Sequence, residues 1–164
     1  MKKQFVSIIL IAVLSYLPAA AAPVTPAKDN TVQVALAAPF HRMVVCNNVN
    51  VVLVDVASQQ ASIKGKAKWR EAVKLEVKDG VLTVSSSRSS SMKQATVYIP
   101  VQQLEGITVK GYSDIESKGT LHSQKLNIHI EGDCRVSVLN DGLVTVSNGP
   151  LHDFEYEVKK KISL

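Results

Sequence analysis

The chain has few of the residues that announce a reaction or a nucleic-acid partner. Aromatic residues make up 5% of its 164 residues, with a single Trp, which argues against a broad aromatic platform for sugars. Neither cation nor anion is in great excess. Without Lys2 and Lys3, seventeen Lys and Arg face fourteen Asp and Glu, a net charge of +3. That excludes the dense basic surface of a nucleic-acid binder. The four histidines, His41, His122, His129 and His152, lack close spacing such as His-x-His, so no metal site is expected. No motif calls for a cofactor, and no convincing helical pattern occurs beyond the first 22 residues.

Those first residues have the layout of a secretory signal peptide. Lys2 and Lys3 begin it, an apolar run follows from Phe5 to Leu17, and Pro18-Ala-Ala-Ala-Ala22 supplies small residues for cleavage. The apolar run is too short for a comfortable membrane span. No Cys follows the cleavage region, which argues against lipid attachment. The expected organisation is therefore a signal peptide at 1–22, a flexible lead-in at 23–30 and one domain at 31–164. The mature protein is expected to be exported, whether periplasmic, outer-surface or secreted, without a membrane span. An oxidising compartment permits a disulfide between Cys46 and Cys134. Two separate, half-buried thiols are the alternative.

Strand patterns dominate the rest. Val32, Val34 and Leu36 alternate with Gln33 and Ala35, and Asn50 lies in a two-faced apolar run from Val49 to Val54. Val73–Val77 and Val81–Val84 flank Lys78-Asp79-Gly80, a strong hairpin signal. Ala95–Ile99 alternates again, and Pro100 is expected to end it. The alternating Phe154–Val158, followed by three lysines, suits an exposed final edge. The best internal helix candidate, Lys68–Val73, is short.

The chain nearly repeats itself 21 residues on. Ile107-Thr-Val-Lys-Gly-Tyr-Ser-Asp-Ile115 is echoed by Ile128-His-Ile-Glu-Gly-Asp-Cys-Arg-Val136. Ile107 and Val109 return as Ile128 and Ile130, and Gly111 returns as Gly132; these six residues are expected to be structural. Stacked in register, Lys110 lies beside Glu131 and Asp114 beside Arg135. A period near 20 residues with one fixed Gly predicts an all-β β-solenoid, right-handed and β-helix-like, with coils of about 21 residues.

The arrangement resembles the auto-transporter adhesin, head GIN domain family, an exported bacterial family, over roughly Phe40–Leu143. The likeness lies in Phe40 with Val49-Asn-Val-Val-Leu53, in Val77-Lys-Asp-Gly-Val-Leu-Thr-Val84, in Val97-Tyr-Ile-Pro100 and in the Gly-centred repeats. The second repeat, Gly132-Asp-Cys-Arg-Val136, departs from the family's Gly-Ala/Ser-Ser-Asp-Val-like step. The resemblance implies a β-solenoid-like fold, an envelope location and adhesion, and it carries over no active site.

The candidate contact surface is basic. Lys64, Lys66 and Lys68 alternate, and Trp69 and Arg70 follow. Such a stripe would face an anionic glycan or an envelope protein; a solvated face is the plainer reading. Trp69 is expected either to plug the core or to meet a partner. Ser90-Ser-Met-Lys93 fits Ser-x-x-Lys but sits in a Ser-rich stretch that reads as a loop. The leading expectation is a non-enzymatic envelope-binding or adhesion module without catalytic residues. The alternatives are a small polysaccharide hydrolase or lyase with Asp114 and Asp133 as its acids, and a self-assembling structural protein.

Overall fold

The computed structural model describes residues 30–87, 95–149 and 155–160, the last by strand pairing alone. The signal peptide, most of the lead-in and Ser90–Lys93 lie outside the described residues. Among the described residues thirteen strands follow one another: β1 (Thr31–Ala35), β2 (Arg42–Cys46), β3 (Asn50–Asp55), β4 (Gln60–Lys64), β5 (Val73–Lys78), β6 (Val81–Ser86), β7 (Thr96–Val101), β8 (Gly106–Lys110), β9 (Ser113–Leu121), β10 (Lys125–Ile130), β11 (Cys134–Asn140), β12 (Leu143–Asn148) and β13 (Glu155–Lys160). One helical turn, α1 (Ala67–Arg70), separates β4 from β5.

The strands form two sheets. Seven run in the order β1-β4-β7-β3-β9-β11-β13, and six in the order β12-β10-β8-β2-β6-β5. The inward residues of both sheets meet in one core that includes Met43, Leu53, Leu82, Ile99, Ile107, Ile115, Leu126 and Ile128. Alternation explains the sorting. In β8 and β10 the residues Ile107, Val109, Ile128 and Ile130 are buried while Thr108 and Asn127 point outward.

The expected β-solenoid is overturned. Both sheets are mixed: β1–β4, β4–β7 and β5–β6 pair antiparallel, while β2–β6, β3–β7 and the pairs among β2, β3 and β8–β13 are parallel. A β-helix repeats one parallel coil throughout. Here the sequence similarity spans only 107–136 and fixes only the pairing of neighbouring strands there. Ile128 pairs with Ile107, Ile130 with Val109 and Arg135 with Asp114, and Lys110 Nζ reaches Glu131 at 3.1 Å. The N-terminal half instead adds antiparallel strands, β1 and β4 at one edge of the seven-stranded sheet and the β5–β6 hairpin at an edge of the six-stranded one. Its Asp79-Gly80 turn, with φ of +50° and +71°, joins β5 to β6.

Where the repeats turn, the backbones nearly touch. A Cβ at Gly132 would stand 2.3 Å from the Gly111 nitrogen, and Gly111 itself has φ +96°. Gly111 in turn stacks on Asn47. Close approach thus sets the Gly at 132, and backbone angle sets the Gly at 111.

Candidate functional site

The ends of β1, β3 and β7 and the start of β4 gather at one end of the sheets. An open groove of about 680 Å³ lies there, walled by Phe40, His41, Gln59, Pro100, Gln102 and Gln103 among others. Pro100 helps to explain the opening. The β4–β7 ladder runs from Lys64↔Thr96 to Ser62↔Tyr98 and stops before Pro100, whose nitrogen has no hydrogen to offer a strand. On its other side Pro100 remains in register with Val54 of β3. So Pro100 lies within β7 rather than ending it, and marks where β4 and β7 part.

The groove walls are held from behind. The His41 N–H donates to the Gly80 carbonyl at 3.0 Å, and the His41 carbonyl accepts from the Glu105 N–H at 2.8 Å. The Gln60 N–H donates to Ser58 Oγ at 3.1 Å, fixing the β3–β4 loop. Leu36 extends the β1–β4 pairing by donating to the Gln59 carbonyl. Gln103 adopts φ +50°, a left-handed conformation that is uncommon for a residue with a side chain. Nearby, the Asp55 carboxylate accepts the His122 N–H at 2.8 Å, and His122 Nδ1 meets Asp141 at 2.5 Å.

Among the described residues lining this groove none is Lys, Arg, Asp or Glu, and His41 is the titratable side chain present. It offers the amides of Gln59, Gln102 and Gln103, the Ser58 hydroxyl and the rings of Phe40, Pro39 and Pro100. Amides both donate and accept hydrogen bonds. Rings cover the apolar faces of a flat ligand. The set therefore suits an uncharged, hydroxyl-rich molecule.

The basic residues expected to form the contact surface sit elsewhere. Lys64 ends β4, and Gly65, at φ +149°, turns the chain out of the sheet. Lys66 precedes α1, which contains Lys68, Trp69 and Arg70. The alternation therefore does not lie along one strand face. Lys64, Lys66 and Lys68 are exposed, while Trp69 is half-buried against the core with the Lys68 ammonium 5.1 Å from its ring centre. Lys64 pairs with Thr96, at the opposite end of β7 from Pro100. Four strand steps from Gln60 to Lys64 put this turn about 13 Å from the groove.

Asp114 lies on the outer face of the seven-stranded sheet beside Arg135 in the ladder, and Asp133 lies exposed in the β10–β11 turn. Neither lines the groove or the two smaller clefts beside it. Cys46 ends β2 in one sheet and Cys134 begins β11 in the other, and both are free thiols. Burial foremost, then the Asp114 and Asp133 carboxylates, push the Cys134 thiol up to about 11. Among the described residues no group of three or more His, Cys, Asp or Glu is placed to hold a metal ion, and no helix is long and apolar enough to cross a membrane.

These features define an all-β domain of two packed mixed sheets with an open groove at its loop end. The chain belongs to the family described as "Putative auto-transporter adhesin, head GIN domain", whose model matches residues 39–148. Its fold is similar to that of a putative adhesin from Bacteroides fragilis, 17% identical with a TM-score of 0.52, over 78% of this chain and 72% of that one. A putative adhesin from Parabacteroides distasonis aligns at 13% identity and TM-score 0.46, over 82% of this chain and 68% of that one. One from Parabacteroides merdae aligns at 9% and 0.44, over 80% and 95%. At 17% identity the likeness to the Bacteroides fragilis protein is one of fold alone. No curated protein matches the sequence.

Proposed function

We propose that the protein is an exported, non-enzymatic binding module of the bacterial envelope whose loop-end groove takes a neutral saccharide. The observation that carries this reading is the groove's chemistry: about 680 Å³, with no Lys, Arg, Asp or Glu among its described lining residues and with amides beside rings. A volume of that order suits a small ligand. Membership of an adhesin-head family supports the exported location and the binding role. The positions of Asp114 and Asp133, away from the three clefts described, give a hydrolase or lyase no paired acids across a substrate.

The test is titration calorimetry of the purified protein against neutral oligosaccharides chosen from a glycan array. Phe40→Ala and Gln102→Ala should each weaken binding about tenfold, equivalent to about 1.4 kcal/mol. An array on which no neutral saccharide binds, or affinities indifferent to both substitutions, would overturn the proposal.

Self-association is a second reading, favoured by the edge of the six-stranded sheet. Edge strand β12, Leu-Val-Thr-Val-Ser-Asn, carries no charge and no Pro, and Leu143 is 62% exposed. Edges that must stay single are usually guarded by such residues. A second copy laid antiparallel about Thr145 would place Val144 against Val146 on the core face. Sedimentation should then show a dimer that Thr145→Lys dissociates; a monomer at high concentration refutes it.

A further inference from the structure

We propose that the furrow continues beyond the neutral groove, and that its second half reads a sugar bearing a carboxylate. This rests on the saccharide reading of the first groove and names the ligand more closely: an oligosaccharide with a neutral unit joined to a hexuronic acid unit.

The continuity is carried by shared walls. Gln103 lines the neutral groove and also a second cleft of about 360 Å³, which contains Glu105, Lys125 and Asn127. Glu105 and Asn127 are shared in turn with a third cleft of about 350 Å³, on the outer face of the six-stranded sheet, where Arg42, Thr108 and His129 join them. Gln103 is thus the saddle between the halves, and it is held at φ +50°. Left-handed backbone at a residue with a side chain is strained and often marks a functional position.

The third cleft exists because of Gly106. In the ladder Gly106 lies between Arg42 on one side and Asn127 on the other. Its outward position has no side chain, which leaves a notch between them. A Cβ placed there would lie 3.5 Å from Arg42 Cγ, in ordinary contact. Fold alone therefore does not demand Gly at this position, whereas open space in the cleft does.

The charges point to the ligand. Beside the furrow, Lys110 meets Glu131 at 3.1 Å, and His129, on the wall of the third cleft, is held by Ser147 at 2.9 Å and Glu131 at 3.3 Å. Among the described residues, Arg42, Lys125 and Glu105 form no ion pair, though all three line the furrow. Two cations against one carboxylate leave the furrow's charged half net positive. A guanidinium grips a carboxylate through two parallel hydrogen bonds, Lys125 adds a point charge, and Glu105 accepts from sugar hydroxyls. Asn127 Nδ2 is bound to the Glu105 carbonyl at 3.2 Å, which fixes that wall. Among the described residues the first groove has no Lys or Arg, so the two halves select different units of one chain.

The probe is a hexasaccharide alternating N-acetylhexosamine and hexuronic acid, compared with the same hexasaccharide after its carboxyls are reduced to alcohols. Calorimetry with the wild-type protein should show the reduced sugar binding about tenfold more weakly and with less salt dependence. Arg42→Gln and Lys125→Gln should each weaken the acidic sugar more than the reduced one and so narrow the difference between them, and Gly106→Val, which fills the notch, should weaken both. Circular dichroism identifies any variant that has lost its fold, and the remaining two then decide. Equal binding of both sugars, untouched by all three substitutions, overturns the carboxylate subsite and leaves the neutral-groove reading intact. Binding of neither sugar overturns both.

Discussion

The side-chain amide of Asn140 closes on both backbone groups of Ser123. It accepts the Ser123 N–H at 3.1 Å and donates to the Ser123 carbonyl at 2.9 Å, and Asn140 is fully buried. One residue of β11 thereby fixes the β9–β10 turn at the same end of the sheets as the groove. Asn140→Ala leaves two buried backbone groups without partners. We expect a loss of about 2–4 kcal/mol in urea unfolding. Asn140→Asp should cost a similar amount at neutral pH and less in acid, because only a protonated carboxyl can both accept and donate. A variant as stable as the wild type would show that the turn finds other partners.

Gly132 should tolerate no side chain. The three atoms its Cβ would strike are all Gly111 backbone, at 2.3–2.8 Å, so the stacked turns must separate. Gly132→Ala is expected to destabilise by about 1–3 kcal/mol. Gly106→Ala, which meets only ordinary contacts, should change stability by less than about 0.5 kcal/mol. Thermal unfolding of the two variants side by side checks the contrast, and equal losses would contradict it.

The Cys134 thiol titrates near 11, against an ordinary 9.0, for the reasons of burial and neighbouring Asp114 and Asp133. A pKa raised in the folded state means that the unfolded chain loses its proton first as pH rises. Its contribution to stability is therefore full below about 9 and is lost between 9 and 11. In a Cys46→Ser background, iodoacetamide should react slowly with Cys134 at pH 8 and speed up towards pH 11. Asp114→Asn should shift that profile to lower pH, by less than the whole displacement because burial is the larger cause. A profile centred near 9 in the native protein would refute this.

The strand pairing was legible wherever neighbouring strands share a pattern. Ile107 and Ile128 announce their own alignment, the Lys110–Glu131 pair follows from it, and Asp79-Gly80 declares its hairpin. What failed was extension: two similar turns do not make a solenoid when β1, β4 and β5 join the same sheets antiparallel. The groove was hidden for a different reason. Its walls come from three loops distant in sequence, around Phe40, Gln59 and Gln103, and neutral amides follow no periodicity. Pro100 was the available signal. A proline directly after an alternating strand can end that strand, or end only its pairing with one neighbour, and sequence does not distinguish the two. The basic cluster does not form the single strand face its alternation suggests, because Gly65 breaks the strand after the first lysine.

The distance between this turn and the groove yields a direct test. The Lys64–Arg70 turn and the groove occupy opposite ends of β4, about 13 Å apart along the strand. At physiological ionic strength exposed charges are screened over about 8 Å, so the turn's lysines should scarcely affect a ligand in the groove. The combined variant Lys64→Glu, Lys66→Glu and Lys68→Glu changes the net charge by six units while leaving half-buried Trp69 in place. Its affinity for the neutral saccharide should stay within about twofold of the wild type, while Phe40→Ala loses about tenfold. For the acidic hexasaccharide a small, salt-sensitive weakening is expected from the altered overall field, vanishing at high salt. A correctly folded triple variant that no longer binds either sugar would move the contact surface back to the basic turn and make the groove a bystander.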